Sequence, residues 1–134
     1  MKIEFFLPFP PSVNTEYNIR RVKDKKTGKI KIVRSKSLKV KKWIESCKKA
    51  IDQQMIFQQM NERCVVIYEL NHPDLRKRDA ANYEKYTTDF LVQAGILRED
   101  NRQHIKGIYS FWNDTKGDAV KVTIVPINDF KVSY

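Results

Sequence analysis

CVVIYEL, residues 64–70, is a near-continuous apolar run of strand length. A strand covered on both faces reads this way, so the run predicts an interior strand of a sheet. NHPDLRKR, residues 71–78, carries a proline and three basic residues and predicts a loop. From about Asp79 to Ala94, the residues Ala80, Tyr83, Thr87, Phe90, Leu91 and Ala94 recur at helical spacing, and Gly95 stands where a helix places its C′ residue. GIL (95–97) then leads to Glu99 and Asp100. IYSFW (108–112) and AVKVTIV (119–125) predict two strands, with a hairpin turn in the intervening NDTKGD.

Toward the N-terminus, KIEFFL (2–7) predicts a strand that ends at Pro8, Pro10 and Pro11, because proline cannot donate to a ladder. NIRRVKDKKTGKIKIVRSK (18–36) is strongly basic. Its DKKTGK has turn chemistry, with Gly28 able to take positive φ, and IKIV can return as a strand. The segment therefore reads as a basic hairpin or a flexible loop. A helix is expected over residues 37–57, capped by Ser37, with Leu38, Trp43, Ile44, Cys47, Ala50, Ile51 and Met55 mostly on one face. Lys41, Lys42, Lys48 and Lys49 fall mostly elsewhere, as a solvated face or a nucleic-acid contact. The expected fold is α/β (α+β): one domain over 1–134, a single-layer mixed β-sheet with two main helices.

The chain has 134 residues, of which 41% are hydrophobic, enough for a core. A domain this small leaves about a third of its unfolded surface exposed, which makes burial by dimerisation attractive. Net charge is +10, from 26 Lys+Arg against 16 Asp+Glu. An excess of this size speaks to partners, and nucleic acid leads. A well-solvated basic surface is the bland alternative. An anionic membrane is disfavoured, because no long basic amphipathic helix with a clean apolar face is present. Cys47 and Cys64 form no CxxC pair, so neither zinc nor a disulfide framework is indicated. MKIEFFLPFPPS is too short and too proline-broken for a signal peptide or a membrane span, and a cytoplasmic protein is expected. His72 and His104 lack ligand spacing, and no Gly-rich phosphate loop or Ser/His/Asp order occurs.

Three acids surround the second predicted helix: Asp79 at its start, Asp89 within it and Asp100 beyond its end. On one continuous helix Asp79, Asn82 and Asp89 lie near one stripe, at offsets of three and seven, with Lys85 among them. Asp100 rejoins them only if the chain doubles back after Gly95, as a strand antiparallel to the helix would make it do. Mg²⁺ takes carboxylates, water and substrate phosphate. Such an ion polarises a phosphoryl oxygen and activates water, and a lysine stabilises the charge that grows. Taken singly, Asp79 reads as an N-cap, Lys85–Asp89 as an ordinary surface pair, Asp100 as a turn residue, and Arg76, Lys77 and Arg78 as a solvated loop.

LPFPPSVNTEY (7–17), HPDLRKRDAANYEK (72–85) and TDFLVQAGILRED (88–100), in this order and spacing, resemble the RusA family of Holliday junction resolvases, small endonucleases of bacteria and their prophages. The resemblance spans about residues 3–125. It implies a homodimer that grips four-way DNA junctions during recombination and repair and nicks two strands with Mg²⁺, Mn²⁺ being a possible substitute. By position, Asp79 and Asp100 match metal-binding acids of the family and Lys85 its catalytic lysine. Asn82 and Asp89 match recurrent motif positions. Arg76, Lys77 and Arg78 adjoin the metal site and are placed to hold the scissile backbone. Arg20, Arg21, Lys23, Lys25 and Lys26 are placed to wrap junction arms.

Ala81 departs from this pattern, which has a metal-holding aspartate there. A methyl group coordinates nothing, so the resemblance implies an impaired nuclease, or a catalytically inactive junction binder or regulator on the same scaffold. Glu84 and Glu99 are the acids near enough in sequence to substitute. Two origins fit: natural divergence, or an alanine introduced to silence the enzyme, and the intact surroundings favour the second. A third reading is an adaptor whose charge only solvates it.

Overall fold

The computed structural model describes residues 1–12, 17–36, 38–74 and 77–130, with 17–22 and 31–36 described by backbone alone. The Ser37 cap and Arg76 therefore lie outside the described residues, as do the side chains of Arg20 and Arg21.

The strands are β1 (Ile3–Pro8), β2 (Tyr17–Lys23), β3 (Ile30–Lys36), β4 (Cys64–His72), β5 (Ile105–Lys116) and β6 (Ala119–Pro126). The helices are α1 (Leu38–Gln54) and α2 (Glu84–Gln93), with short 3-10 helices at Ala80–Tyr83 and Ile127–Asp129. Four strands form one mixed sheet in the order β1-β6-β4-β5. β4 is interior, parallel to β5 and antiparallel to β6. Parallel neighbours need a crossover, and the segment containing α2 supplies it.

The sheet has one packed face. Ile3, Phe5 and Leu7 of β1, Val66, Tyr68 and Leu70 of β4, and Val120, Val122 and Ile124 of β6 are buried in one core with Val40, Trp43, Cys47 and Ile51 of α1 and Phe90 and Leu91 of α2. The residues that alternate with them on β1 are exposed, including Phe6 at 54%. The apolar run of β4 accordingly marks an interior strand, while Ile67 and Glu69 on the other face are only half-buried.

The predicted turn within NDTKGD is corrected. β5 runs on to Lys116, and β5 and β6 are not neighbours, because β4 lies between them. The Gly117–Asp118 link passes the end of β4, where the Gly117 N–H donates to the His72 carbonyl at 3.0 Å and the Phe9 N–H to the Asp118 carbonyl at 2.7 Å. Backbone bonds to β4 and β1 thus replace the hairpin ladder.

Residues 18–36 resolve as the hairpin alternative. β2 and β3 pair antiparallel from Tyr17↔Lys36 to Lys23↔Ile30 as a separate two-stranded sheet. Asp24 closes the turn: its N–H donates to the Lys29 carbonyl, and its side chain accepts from the Lys26 N–H at 2.8 Å. Gly28 has φ 70°, the left-handed conformation expected of it.

α1 is shorter than expected and its stripe is shifted. Leu38 and Met55 are 61% and 72% exposed, while Val40, missing from the predicted stripe, is buried. The run Trp43, Cys47, Ile51 at four-residue steps sets the phase, and Leu38 falls before the sheet begins to cover the helix. The Gln54 side chain donates to the Phe6 carbonyl at 2.7 Å and accepts from the Phe6 N–H at 2.8 Å. It thereby occupies the free edge of β1 as a neighbouring strand would, which protects that edge from pairing.

Helix α1 ends at Met55, which takes φ 58°. Glycine is the usual residue in this conformation because a Cβ is strained there. Met55→Gly should therefore raise stability by about 0.5–1 kcal/mol, the relieved strain outweighing the extra freedom of the unfolded chain. Urea midpoints of the two proteins check this, and an equal or lower midpoint for the glycine form would refute it.

Cys47 and Cys64 are fully buried and free. Burial raises both thiols, Cys64 to about 11, so both are packing residues. Among the described residues, no helix is long and apolar enough to cross a membrane.

Candidate nucleic-acid interface and acid cluster

The segment joining β4 to α2 does not form one continuous helix. Asp79, extended at φ −96° and ψ 121°, is the N-cap of the 3-10 turn Ala80–Tyr83. Its Oδ1 accepts from the Ala81 N–H at 3.1 Å, and its carbonyl accepts from the Asn82 N–H at 3.1 Å. α-Helical geometry starts only at Glu84. The expected stripe through Asp79, Asn82 and Asp89 is therefore corrected: a 3-10 turn winds more tightly, so offsets counted from Asp79 do not carry into α2. Helical spacing does hold for Lys85 and Asp89, four residues apart with Nζ 3.3 Å from Oδ2. Both are 51% exposed, so the pair adds only a few tenths of a kcal/mol to stability. The predicted inward stripe is also adjusted: Ala94 is exposed, and Tyr86 and Thr88 are buried.

After α2 the chain does double back. Gly95 takes φ 79°, the N–H groups of Ile96 and Leu97 donate to the Leu91 carbonyl at 3.0 and 3.1 Å, and Leu97 bridges to Met60. No strand forms here; a capped turn does the work expected of one.

A buried hydroxyl pair that the sequence did not single out joins β4 to α2. Tyr68, 1% exposed in the middle of β4, has its phenol 2.6 Å from Thr88 Oγ1. Thr88 donates its one hydroxyl hydrogen to the Glu84 carbonyl at 2.8 Å, so Tyr68 is the donor in the first bond. Burial holds the Tyr68 pKa well above that of free tyrosine, the Thr88 bond opposes this, and the charges of Glu84, Asp100 and Asp89 raise it further. Glu84 is oriented by a short hydrogen bond from the Ser110 hydroxyl on β5. Tyr68 and Ser110 are register partners in adjacent parallel strands. This inward polar pair was hidden in the sequence, because only sheet register brings residues 68, 84, 88 and 110 together. Tyr68→Phe should lower stability by about 0.5–1.5 kcal/mol, the usual net value of one hydrogen bond. Chemical denaturation reads this, and an unchanged midpoint would contradict the donor assignment.

Asp79 and Asp100 are exposed, as is Ala81. Among the described residues, no group of three or more His, Cys, Asp or Glu side chains is placed to hold an ion. The donor set therefore does not fit the three-carboxylate Mg²⁺ site that the resemblance implies. Ala81 is the position at which the resemblance implies a third carboxylate, and the near acid Glu84 is engaged by Ser110.

The basic residues divide. The Arg78 guanidinium is committed: Nε donates to Asp74 at 3.2 Å and Nη1 to the Tyr83 hydroxyl at 2.9 Å. These partners hold it far above the ordinary arginine range. It ties Asp74, just after the end of β4, to Tyr83 in the 3-10 turn after Asp79. Lys77 is exposed. Lys25, Lys26 and Lys29 are exposed at the hairpin tip, and Lys39, Lys41, Lys42, Lys48 and Lys49 are exposed along α1.

Neither histidine joins the acids. His104 is 6% exposed and its Nε2 accepts from the Arg98 N–H at 3.2 Å. Burial and then the Arg98 charge lower its pKa, against the opposing charge of Glu99. The unfolded chain binds this proton more readily, so the contribution of His104 to stability is present above about pH 6.5 and is lost as pH falls below it. His104→Gln should flatten that part of the profile between pH 7.5 and 5.5; equal slopes for the two proteins would refute the assignment.

Comparison with models of known protein families gives no match for the chain, and comparison with curated proteins gives none either.

Proposed function

We propose that this chain is a RusA-like protein that binds four-way DNA junctions as a homodimer, with Mg²⁺-dependent endonuclease chemistry impaired by Ala81. The observation that supports this reading is the placing of Glu84 and the Lys85–Asp89 pair together on α2, in a chain of net charge +10. Acids gathered in so basic a protein suit a site that handles a phosphodiester, while the surrounding lysines suit the DNA backbone. When bound, a divalent ion would polarise the scissile phosphate and activate water. Asp79 and Asp100 are the residues assigned to hold it and Lys85 the residue assigned to meet the developing charge. Among the described residues of the present chain the donor set for that ion is incomplete.

The alternative, a regulator that binds junctions without ever cutting, draws on the same exposed methyl at 81. The two share the binding step. That step should be salt-sensitive, with log K falling by about 0.9 per phosphate neutralised for each unit of log salt. Replacing Lys25, Lys26 and Lys29 together by glutamine should make the slope shallower by about one to three units. Fluorescence anisotropy on a labelled junction reads it; identical slopes would remove the hairpin from the interface.

A further inference from the structure

Beside the candidate site, and separate from the acid cluster, lies a pocket of about 270 Å³ lined by Phe9, Pro10, Pro11, Ser12, Lys39, Trp43, Pro73, Arg78 and Tyr83. We propose that this pocket takes one unstacked nucleotide, its base among the aromatic and proline rings and its phosphate at Lys39. The inference rests on the nucleic-acid reading above and names the part of the ligand that enters.

The walls are fixed before any ligand arrives. Trp43 is anchored through its indole N–H to the Pro8 carbonyl at 2.9 Å. Phe9 packs on Tyr83 with ring centroids 4.8 Å apart, and both pack on Trp112 at about 6 Å. The Tyr83 hydroxyl accepts from Arg78, which Asp74 also holds. Rigid aromatic walls suit a flat, apolar-faced ligand, because little side-chain freedom is lost on binding. The volume is below the usual range for drug-sized ligands and suits one base.

The charge of the lining selects the ligand class. Among the described residues it contains two cations and no carboxylate. Arg78 is already matched by Asp74, but exposed Lys39 has no ion-pair partner among the described residues. A pocket lined by aromatic and proline rings with one unmatched cation is complementary to a base carrying a phosphate. Aromatic stacking makes such a pocket tolerant of base identity. Arg78 precedes Asp79 directly in sequence, so the pocket adjoins the segment that carries Asp79.

The test uses the full chain and a labelled single-stranded pentadeoxynucleotide, an abasic sugar-phosphate pentamer of the same length, a paired duplex and a four-way junction. Two variants are compared, Lys39→Gln and Lys41→Gln. Each removes one exposed lysine from the same helix, and only Lys39 lines the pocket. Lys39→Gln should weaken binding of the pentadeoxynucleotide about five- to tenfold, Lys41→Gln less than twofold, and the abasic pentamer should bind about tenfold more weakly than its base-bearing counterpart. Equal effects of the two variants, or equal binding of the two pentamers, would overturn the proposal, leaving general electrostatics or phosphate alone. A pocket that fails while junction binding persists leaves the functional reading standing. Pentamer binding with the expected variant pattern, in a chain that does not prefer junctions, would sink the functional reading and keep the pocket.

Discussion

Ala81→Asp should raise Mg²⁺-dependent cleavage of a four-way junction by about 100-fold or more over the present chain. The size follows from geometry: displacing an attacking water by about 1 Å costs on the order of 100-fold, and a missing ligand displaces both ion and water. In free energy that is about 2.7 kcal/mol of barrier. The substitution should leave the fold intact. Ala81 is exposed in the first turn after Asp79, so a carboxylate there crowds no core residue and sits at a helix start, where negative charge is favourable. Surface changes of this kind ordinarily move stability by no more than about 0.5 kcal/mol. Cleavage by both forms would mean that the third carboxylate is dispensable or replaced, with Glu84 and Glu99 next to be removed. Cleavage by neither, with junction binding kept in both, would favour the regulator.

Phe90→Ala should cost about 3–5 kcal/mol, the usual penalty for emptying a buried aromatic position. Phe90 is 2% exposed and meets Trp43 edge-on, ring centroids 5.9 Å apart. That contact joins α2 to α1 above the inner face of the sheet. A domain of this size has only about 5–15 kcal/mol in total, so the variant should be near the limit of folding at 37 °C. Urea denaturation at 25 °C gives the loss; a value under about 1 kcal/mol would mean that α2 is not held through this contact. If α2 loosens, Lys85 and Asp89 move with it, and junction affinity should fall together with stability.

The parts of this fold that local chemistry controls were legible in the sequence. The apolar run 64–70 gave the interior strand, Gly95 the end of α2, and DKKTGK the hairpin tip. Three features were not legible, two of them because they depend on contacts distant in the chain. The β5–β6 link reads as a hairpin because a short polar stretch with turn chemistry between two strands normally pairs them, and nothing in NDTKGD reveals that β4 lies between. The 3-10 turn at Ala80–Tyr83 turns on the Asp79 side chain reaching the Ala81 N–H, which an aspartate at a helix start permits without requiring. The phase of α1 was misjudged at its ends, since Leu38 and Met55 are apolar yet find no sheet beneath them. For the candidate site, sequence named Asp89, Asp100 and Lys85, and raised Glu84 only as a substitute ligand. It passed over Tyr68, Thr88 and Ser110, the polar side chains that link β4 and β5 to α2, because a tyrosine within an apolar run reads as core. Arg78 was read as a DNA contact, and its pairing with Asp74 became visible only once the loop was folded.

Competition between a labelled four-way junction and an unlabelled duplex of the same length, without metal so that no strand is cut, tests junction recognition most directly. The present chain, Ala81 included, should prefer the junction at least about tenfold at moderate salt, because recognition does not need the missing carboxylate. Equal affinity for the two, or no binding to either at low salt, would contradict the assignment and leave the charge as solvation alone.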